Sequence, residues 1–222
     1  MANSESRASG PDGTRTFAVG AFNAVSLEGS DNVRVVRGAA ISVTATGPQR
    51  VLNQLNIRVE RNTLKIDRKS DGLSWKSGDY RGAVITVTMP TINAVSVGGS
   101  GDMTVDRADG DAFGAAVGGS GNLKIAAMAV KRAQLAVEGS GEMTIAGAAA
   151  DAAIAVKGSG NIDARNLVTQ RATIAAEGSG NIGANVRESA TIAVGGSGDV
   201  AVTGTENCAI AKSGSGSARC SR

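Results

Sequence analysis

A serine held between two glycines is the arrangement in this chain that comes nearest to a catalytic motif. A tight glycine-flanked turn is how many hydrolases expose a nucleophilic hydroxyl. The triplet occurs seven times: Gly99-Ser100-Gly101, Gly119-Ser120-Gly121, Gly139-Ser140-Gly141, Gly158-Ser159-Gly160, Gly178-Ser179-Gly180, Gly196-Ser197-Gly198 and Gly214-Ser215-Gly216. The elbow spacing G-x-S-x-G is not met, since Gly98-Gly99-Ser100-Gly101-Asp102 and Gly118-Gly119-Ser120-Gly121-Asn122 both fail at the last residue. The chain has no His, so the commonest general base is missing for every one of these serines. Seven equivalent hydroxyls without a base read as turns, not as nucleophiles.

Metal and phosphate chemistry fare no better. Gly98-Gly99-Ser100-Gly101-Asp102 approaches the G-G-x-G-x-D pattern of calcium β-rolls, but the repeat here is twice as long. The acidic position becomes Asn122, Asn161 and Asn181 in other repeats, whereas hard cations need clustered carboxylates. No Gly-Lys-Ser/Thr follows any triplet, so the phosphate-loop pattern is absent. Asp106, Asp109 and Asp111 gather around Arg107 and offer the one carboxylate group that a polysaccharide-active enzyme could use, although a connecting turn is where Asp and Gly collect anyway. The expectation is no catalytic residue, no metal and no cofactor.

The elements that hold these residues follow from the spacing. The opening glycines lie 20, 20, 19, 20, 18 and 18 residues apart. Apolar residues alternate on both sides of each triplet, with Ala133, Leu135 and Val137 before one and Met143 and Ile145 after it. A period near 20 with a fixed turn predicts an all-β fold, a right-handed parallel β-helix with coils of about 18–20 residues. Seven or eight short coils are expected. Equivalent inward rows are read at Ala153, Ile154/Val156 and Ile162, and at Ala172, Ile174, Ala176 and Ile182. A core of stacked Val, Ile, Leu and Ala explains an aromatic content of only 2%. The triplet suits a repeated sharp turn, because Gly reaches positive φ, Ser can bond nearby backbone, and stacked backbones exclude a Cβ.

The N-terminal part is less regular. Residues 1–14 are expected to be a poorly ordered leader, and 15–222 a single solenoid domain. Pro48 to Leu55 reads as a short helix with Pro in its first turn and Val51, Leu52 and Leu55 on one face. Ile57, Val59, Leu64 and Ile66 form a hairpin around Arg61-Asn62. Phe22-Asn23-Ala24-Val25-Ser26-Leu27-Glu28-Gly29-Ser30-Asp31 duplicates Ile92-Asn93-Ala94-Val95-Ser96-Val97-Gly98-Gly99-Ser100-Gly101, so residues 47–90 are an elaboration of the first coils (residues 15–97). Residues 69–82 form a polar loop with the only Trp and Tyr, Trp75 and Tyr80, which are candidates for a binding site or for an end cap.

Two ladders and two thiols complete the reading. The residue after each triplet runs Asp102, Asn122, Glu142, Asn161, Asn181, Asp199 and Ser217, and its amides are expected to bond up the stack. The residue before it runs Glu138, Lys157 and Glu177, an alternation expected to pin register. Cys208 aligns with Ala133, Ala172 and Ala190, and Cys220 with Ile145 and Val202. The two face each other across the last turn and are expected to form a disulfide in an oxidising compartment, two buried thiols being the alternative. A net charge of +3 and the scarcity of aromatics speak against nucleic acid, and no apolar run reaches the length of a membrane span.

The segment Phe22 to Val33, the stretch Val51-Leu52-Asn53-Gln54-Leu55 with Asn62-Thr63-Leu64-Lys65-Ile66, and the repeated Gly-Ser-Gly-[Asp/Asn/Glu]-apolar unit together resemble the bacterial auto-transporter adhesin, head GIN domain family, over about residues 15–220. The resemblance implies an exported bacterial protein of β-helical fold, periplasmic or on the cell surface. The regular scaffold, the missing catalytic constellation and the segment with Trp75 and Tyr80 make a non-enzymatic envelope protein the expectation. Its expected partner is a protein or a glycan, with self-association through the solenoid ends as a further expectation.

Overall fold

The fold comes from a computed structural model that describes residues 12–69 and 82–222. In chain order the irregular part is β1 (Asp12–Phe17), β2 (Ala24–Leu27), β3 (Asn32–Arg37), β4 (Ser42–Pro48), α1 (Gln49–Gln54), β5 (Leu55–Glu60), β6 (Thr63–Arg68) and β7 (Val84–Met89). The regular part is β8 (Ala94–Val97), β9 (Met103–Val105), β10 (Ala108–Val117), β11 (Leu123–Val137), β12 (Glu142–Val156), β13 (Asn161–Ala176), β14 (Ile182–Val194), β15 (Val200–Thr203), β16 (Cys208–Lys212) and β17 (Ala218–Ser221). β1 already takes in residues 12–14 of the expected leader.

The strands stack in parallel rows around one apolar core, a β-solenoid of about six turns. A first row carries β6, β2, β8, the C-terminal parts of β10 to β14, and β16. A second row, across the Gly-Ser-Gly corner, carries β7, β3, β9, the N-terminal parts of β11 to β14, β15 and β17. A third row joins the remaining parts of β10 to β14. The turns number fewer than the expected seven or eight because the rungs at the two ends have only the first two sides. Val, Ile, Leu, Met and Ala at alternate positions fill the interior. Where the repeat shortens, residues are lost at the second corner, between Ile125 and Met128 and between Ala164 and Val168, so the rows keep their register. Ala152, not Ala153, is the inward residue of its rung, and Ala153 is exposed.

The corner explains the glycines. The main-chain N–H of Ser120 donates to the carbonyl of Gly99 at 3.1 Å, and Ser140 and Ser159 repeat the bond to Gly119 and Gly139. A Cβ on Gly119 would lie 2.1 Å from the Gly99 carbonyl oxygen, and one on Gly121 would lie 2.0 Å from that of Gly101. Positive φ is confined to Gly158 and Gly214 among the triplet glycines, so close stacking is the main constraint. The expected hydroxyl-to-backbone bonds of the turn serines do not form among the described residues; their main-chain N–H groups make the contact instead.

The inserted segment does not stack where chain order suggests. The duplicated strands β2 and β8 pair directly, Ala24 with Ala94 and Leu27 with Val97. β6 and β7 therefore lie on the outer side of β2 and β3 and form the end rung. Beyond them the strands turn antiparallel, β5 on β6 and β4 on β7 with β1 outside, which ends parallel propagation. Arg61 and Asn62 make the hairpin turn with φ of 47° and 63°. α1 buries Val51 and Leu52, and Pro48 stands just before it as N-cap instead of inside its first turn. An ion pair between a buried carboxylate and a half-buried guanidinium ties this cap down. Asp31, 1% exposed, occupies the row of Gly101 and accepts two hydrogen bonds from Arg68, at 2.6 and 2.9 Å, and one from the main-chain N–H of Ala83 at 2.7 Å. That contact raises the pKa of the Arg68 guanidinium.

At the other end Cys208 pairs in register with Ala190 and Cys220 with Val202, and the two form a disulfide. Ile210 is 46% exposed there because no further rung covers it among the described residues.

The glycine rows generate a paired test. Gly119→Ala is expected to cost about 1–3 kcal/mol through overpacking against a carbonyl that cannot move away. Gly118→Ala meets nothing within 4 Å and should be near neutral; urea unfolding of the two variants makes the comparison. For the cap, Asp31→Ala strands Arg68 and should lower stability by about 3 kcal/mol. Hydrogen exchange should show the loss first in β6 and β7, and uniform loss along the solenoid would refute the latch.

Candidate functional site

The outward residues of the first row form a sheet face of four columns. In the rungs of β10 to β14 the two central columns read Gly114, Gln134, Ala153, Thr173, Thr191 and Ala116, Ala136, Ala155, Ala175, Ala193. The same columns continue through Ala94 and Ser96 and through Ala24 and Ser26 toward the cap, and through Ala209 and Ala211 at the other end. They carry no charge between Ala24 and Ala211, although 19% of the chain is charged. Short side chains leave a shallow trough of about 580 Å3 floored by Val25, Val95, Ala115, Leu135, Ile154 and these small residues.

Within these rungs charges stand only at the two rims; one rung further, in β6, the column of Ser26 reaches Lys65, which pairs with Glu28 and Glu60. The outer column on the Gly-Ser-Gly side holds Glu138, Lys157 and Glu177, all exposed. The opposite column holds Arg132, Asp151 and Arg171 in the same three rungs. Arg171 bonds Asp151 at 2.8 Å and Glu188 at 3.3 Å, and Lys131 bonds Asp111 at 2.8 Å beside it. Register-pinning charge pairs therefore lie at this corner. No ion pair joins Glu138, Lys157 and Glu177 among the described residues, which corrects the sequence expectation: these three side chains are exposed and reach no partner along their own column.

The second row's outer face is polar and largely self-satisfied. The Oδ1 atoms of Asn32, Asp102 and Asn122 accept from the main-chain N–H of the residue one rung on, at 3.1, 2.9 and 3.1 Å. Asn161, Asn181 and Asp199 do the same at 2.9, 3.0 and 3.0 Å. The ladder breaks once, at Glu142, where the Asn161 N–H turns to the Gly141 carbonyl instead. Amide-to-side-chain bonds add to it from Asn122 to Asp102 and from Asn181 to Asn161.

The candidate catalytic carboxylates are likewise engaged. Asp106 accepts from the main-chain N–H of Arg37 at 3.0 Å, Asp109 pairs with Arg37 and Arg107, and Asp111 pairs with Lys131. A glycosidase acid needs a raised pKa. Here Lys131 lowers that of Asp111, Arg165 that of Asp163, Arg58 that of Glu60, and the Ser217 hydroxyl that of Asp199. Trp75 and Tyr80 lie outside the described residues. No grouping of three or more metal-ligating side chains occurs among the described residues.

The family model described as "Putative auto-transporter adhesin, head GIN domain" matches residues 21–206. The chain belongs to this family. Among solved structures, a "putative adhesin" from Bacteroides fragilis NCTC 9343 is 26% identical, with a TM-score of 0.89 over 96% of this chain and 97% of that one. A "putative lipid binding protein" from Parabacteroides distasonis ATCC 8503 is 20% identical, with a TM-score of 0.72 over 96% of each chain. A "putative adhesin" from Parabacteroides merdae ATCC 43184 is 16% identical, with a TM-score of 0.65 over 96% of each chain. These last two share the fold. A search of curated proteins finds no match. The family match runs from β2 through β15. The uncharged face was missed in sequence because Ala at outward positions reads as weak alternation; its signal is the lack of charge in two columns once register is known.

Asp111, Asp163, Glu60 and Asp199, held in the charged form by their partners, predict the acid response. Their folded pKa values lie below the ordinary carboxylate value of about 4. Their contribution is therefore present above that value and lost as pH falls through the folded pKa. The urea midpoint should stay level from about pH 8 to pH 5 and fall below about pH 4. A drop between pH 8 and 6 would point to another group.

Proposed function

We propose that this head GIN protein is a non-enzymatic, exported adhesion module whose contact surface is the uncharged face of the first row. The observation that carries the reading is that face: a shallow trough free of charge along two columns from Ala24 to Ala211 and bounded by charged rims in the rungs of β11 to β13. A soluble protein seldom maintains such a patch without a partner. The core of a protein contact is likewise poor in charge with a polar rim. The disulfide supports an oxidising compartment and hence export. No helix among the described residues is long and apolar enough to cross a membrane. The ion pairing of Asp109 and Asp111, and the main-chain hydrogen bonds that hold Asp106, support the non-enzymatic reading over a polysaccharide-active one. A lipid contact is a second reading, favoured by the apolar lining of the trough, and the Parabacteroides protein named for lipid binding has the same fold.

The test is binding of the purified protein to isolated envelope components, a glycan array and phospholipid vesicles, beside the variant Ala136→Arg/Ala155→Arg. Loss of at least tenfold in binding by the variant, with its circular dichroism unchanged, is the expected result. A Trp75→Ala/Tyr80→Ala variant is the second arm. Binding that survives the arginines but fails without the aromatics would move the site to the 69–82 loop.

A further inference from the structure

The rims of the uncharged face carry a pattern that names an occupant. In the rung of β11 the two rims are Arg132 and Glu138, in β12 Asp151 and Lys157, and in β13 Arg171 and Glu177. Over these three rungs each rim alternates in sign, and the two rims are opposite in sign in each of the three; the next charge at either rim is Glu28, beside β2 and three rungs from Glu138. Rungs on either side are neutral at both rims, with Ala112 and Gly118 in β10 and Ser189 and Gly195 in β14.

We infer that this face pairs with the same face of a second copy of the chain, the two solenoids parallel and related by a twofold axis running along their length. The inference rests on the face being the contact surface proposed above, and it names the partner. Such an axis sets each rim against the opposite rim of the partner at the same height. Glu138 then meets Arg132, Lys157 meets Asp151, and Glu177 meets Arg171, on both sides of the pair. The central columns meet as Gln134 on Ala136, Ala153 on Ala155 and Thr173 on Ala175, long against short or short against short.

Other arrangements lose this match. An antiparallel pair centred on β12 opposes Lys157 to Lys157 and Asp151 to Asp151. One shifted by a rung leaves Arg171 and Glu177 facing neutral residues. A parallel pair slipped by one rung sets Glu138 against Asp151. The alternation therefore specifies both direction and register. Eight rungs at about 4.8 Å and four columns at about 6.6 Å give a face of roughly 700 Å2 per copy, within the range of standard interfaces. An isologous twofold contact is also the commonest closed assembly. A parallel pair keeps both N-terminal caps at the same end.

The experiment is sedimentation equilibrium of the full chain with two charge-reversed variants. One reverses the Gly-Ser-Gly rim (Glu138→Lys, Lys157→Glu, Glu177→Lys). The other reverses the opposite rim (Arg132→Glu, Asp151→Lys, Arg171→Glu). The unaltered chain should dimerise, and each variant alone should do so on the order of a hundredfold more weakly. An equimolar mixture of the two should regain dimers, since every rim contact is again opposite in sign. Circular dichroism verifies that each variant is folded, and recovery in the mixture excludes misfolding as the cause of the loss.

A chain that stays monomeric up to about 1 mM overturns the inference. So does a Gly-Ser-Gly-rim variant that dimerises as well as the unaltered chain, which is the result for the shifted antiparallel pair. If the chain is monomeric yet Ala136→Arg/Ala155→Arg abolishes binding to envelope components, the pairing fails while the proposed contact face stands. If neither assay responds to these substitutions, both fail.

Discussion

One close contact governs this molecule: the carbonyl of a turn glycine in one rung occupies the space where a Cβ of the next rung's glycine would stand. Gly119 over Gly99 and Gly121 over Gly101 are two instances, at 2.1 and 2.0 Å from a notional Cβ. With that corner closed, the rung spacing is fixed by main-chain hydrogen bonds, and the side chains of the inward rows are forced into contact. The core then needs only medium-sized aliphatic residues, one above another. The turn serine is left exposed, its hydroxyl uncommitted, because its main-chain N–H already makes the inter-rung bond.

The same stacking creates the problem of ends, and the two ends are handled by different means. At the N-terminal end the chain leaves the first coil, builds the β6–β7 rung on its outside and adds antiparallel strands and α1 over the core. Asp31 locks that rung through Arg68, in a turn position that is glycine in all seven later triplets. At the C-terminal end polar and sulfur-bearing residues enter the inward rows, with Cys208 below Ala190, Lys212 below Val194 and Cys220 below Val202. A rung with little apolar burial of its own is closed covalently instead.

Between the ends, the outer faces differ in how far they satisfy themselves. The second row's ladder of Asp and Asn works because a short side chain reaches the main-chain N–H one rung away. Glu142 interrupts it, being one methylene longer. Most of that polarity is spent inside the chain. The first row's face has nothing to spend: Ala, Ser, Gly and Thr offer area without internal partners, and between Ala24 and Ala211 its charges are held at the rims. This contrast, more than any single residue, supports the first row's face as the proposed contact surface.

Much of this was legible in the sequence. The period, the turn, the inward rows, the Arg61-Asn62 hairpin, the short helix and the facing cysteines follow from local rules, because alternation, turn chemistry and repeat spacing are properties of neighbours along the chain. Three things were decided only by tertiary structure. The stack order placed residues 55–89 outside the first coil, since a duplicated strand pairs with its copy wherever the chain has gone in between. The corner ion pairs replaced the expected Glu138, Lys157 and Glu177 ladder, since which charges meet depends on side-chain direction at a bend. The uncharged face with its opposed rims emerged only when residues some 20 positions apart were laid side by side in register, for a column is a property of the stack and not of any stretch of chain.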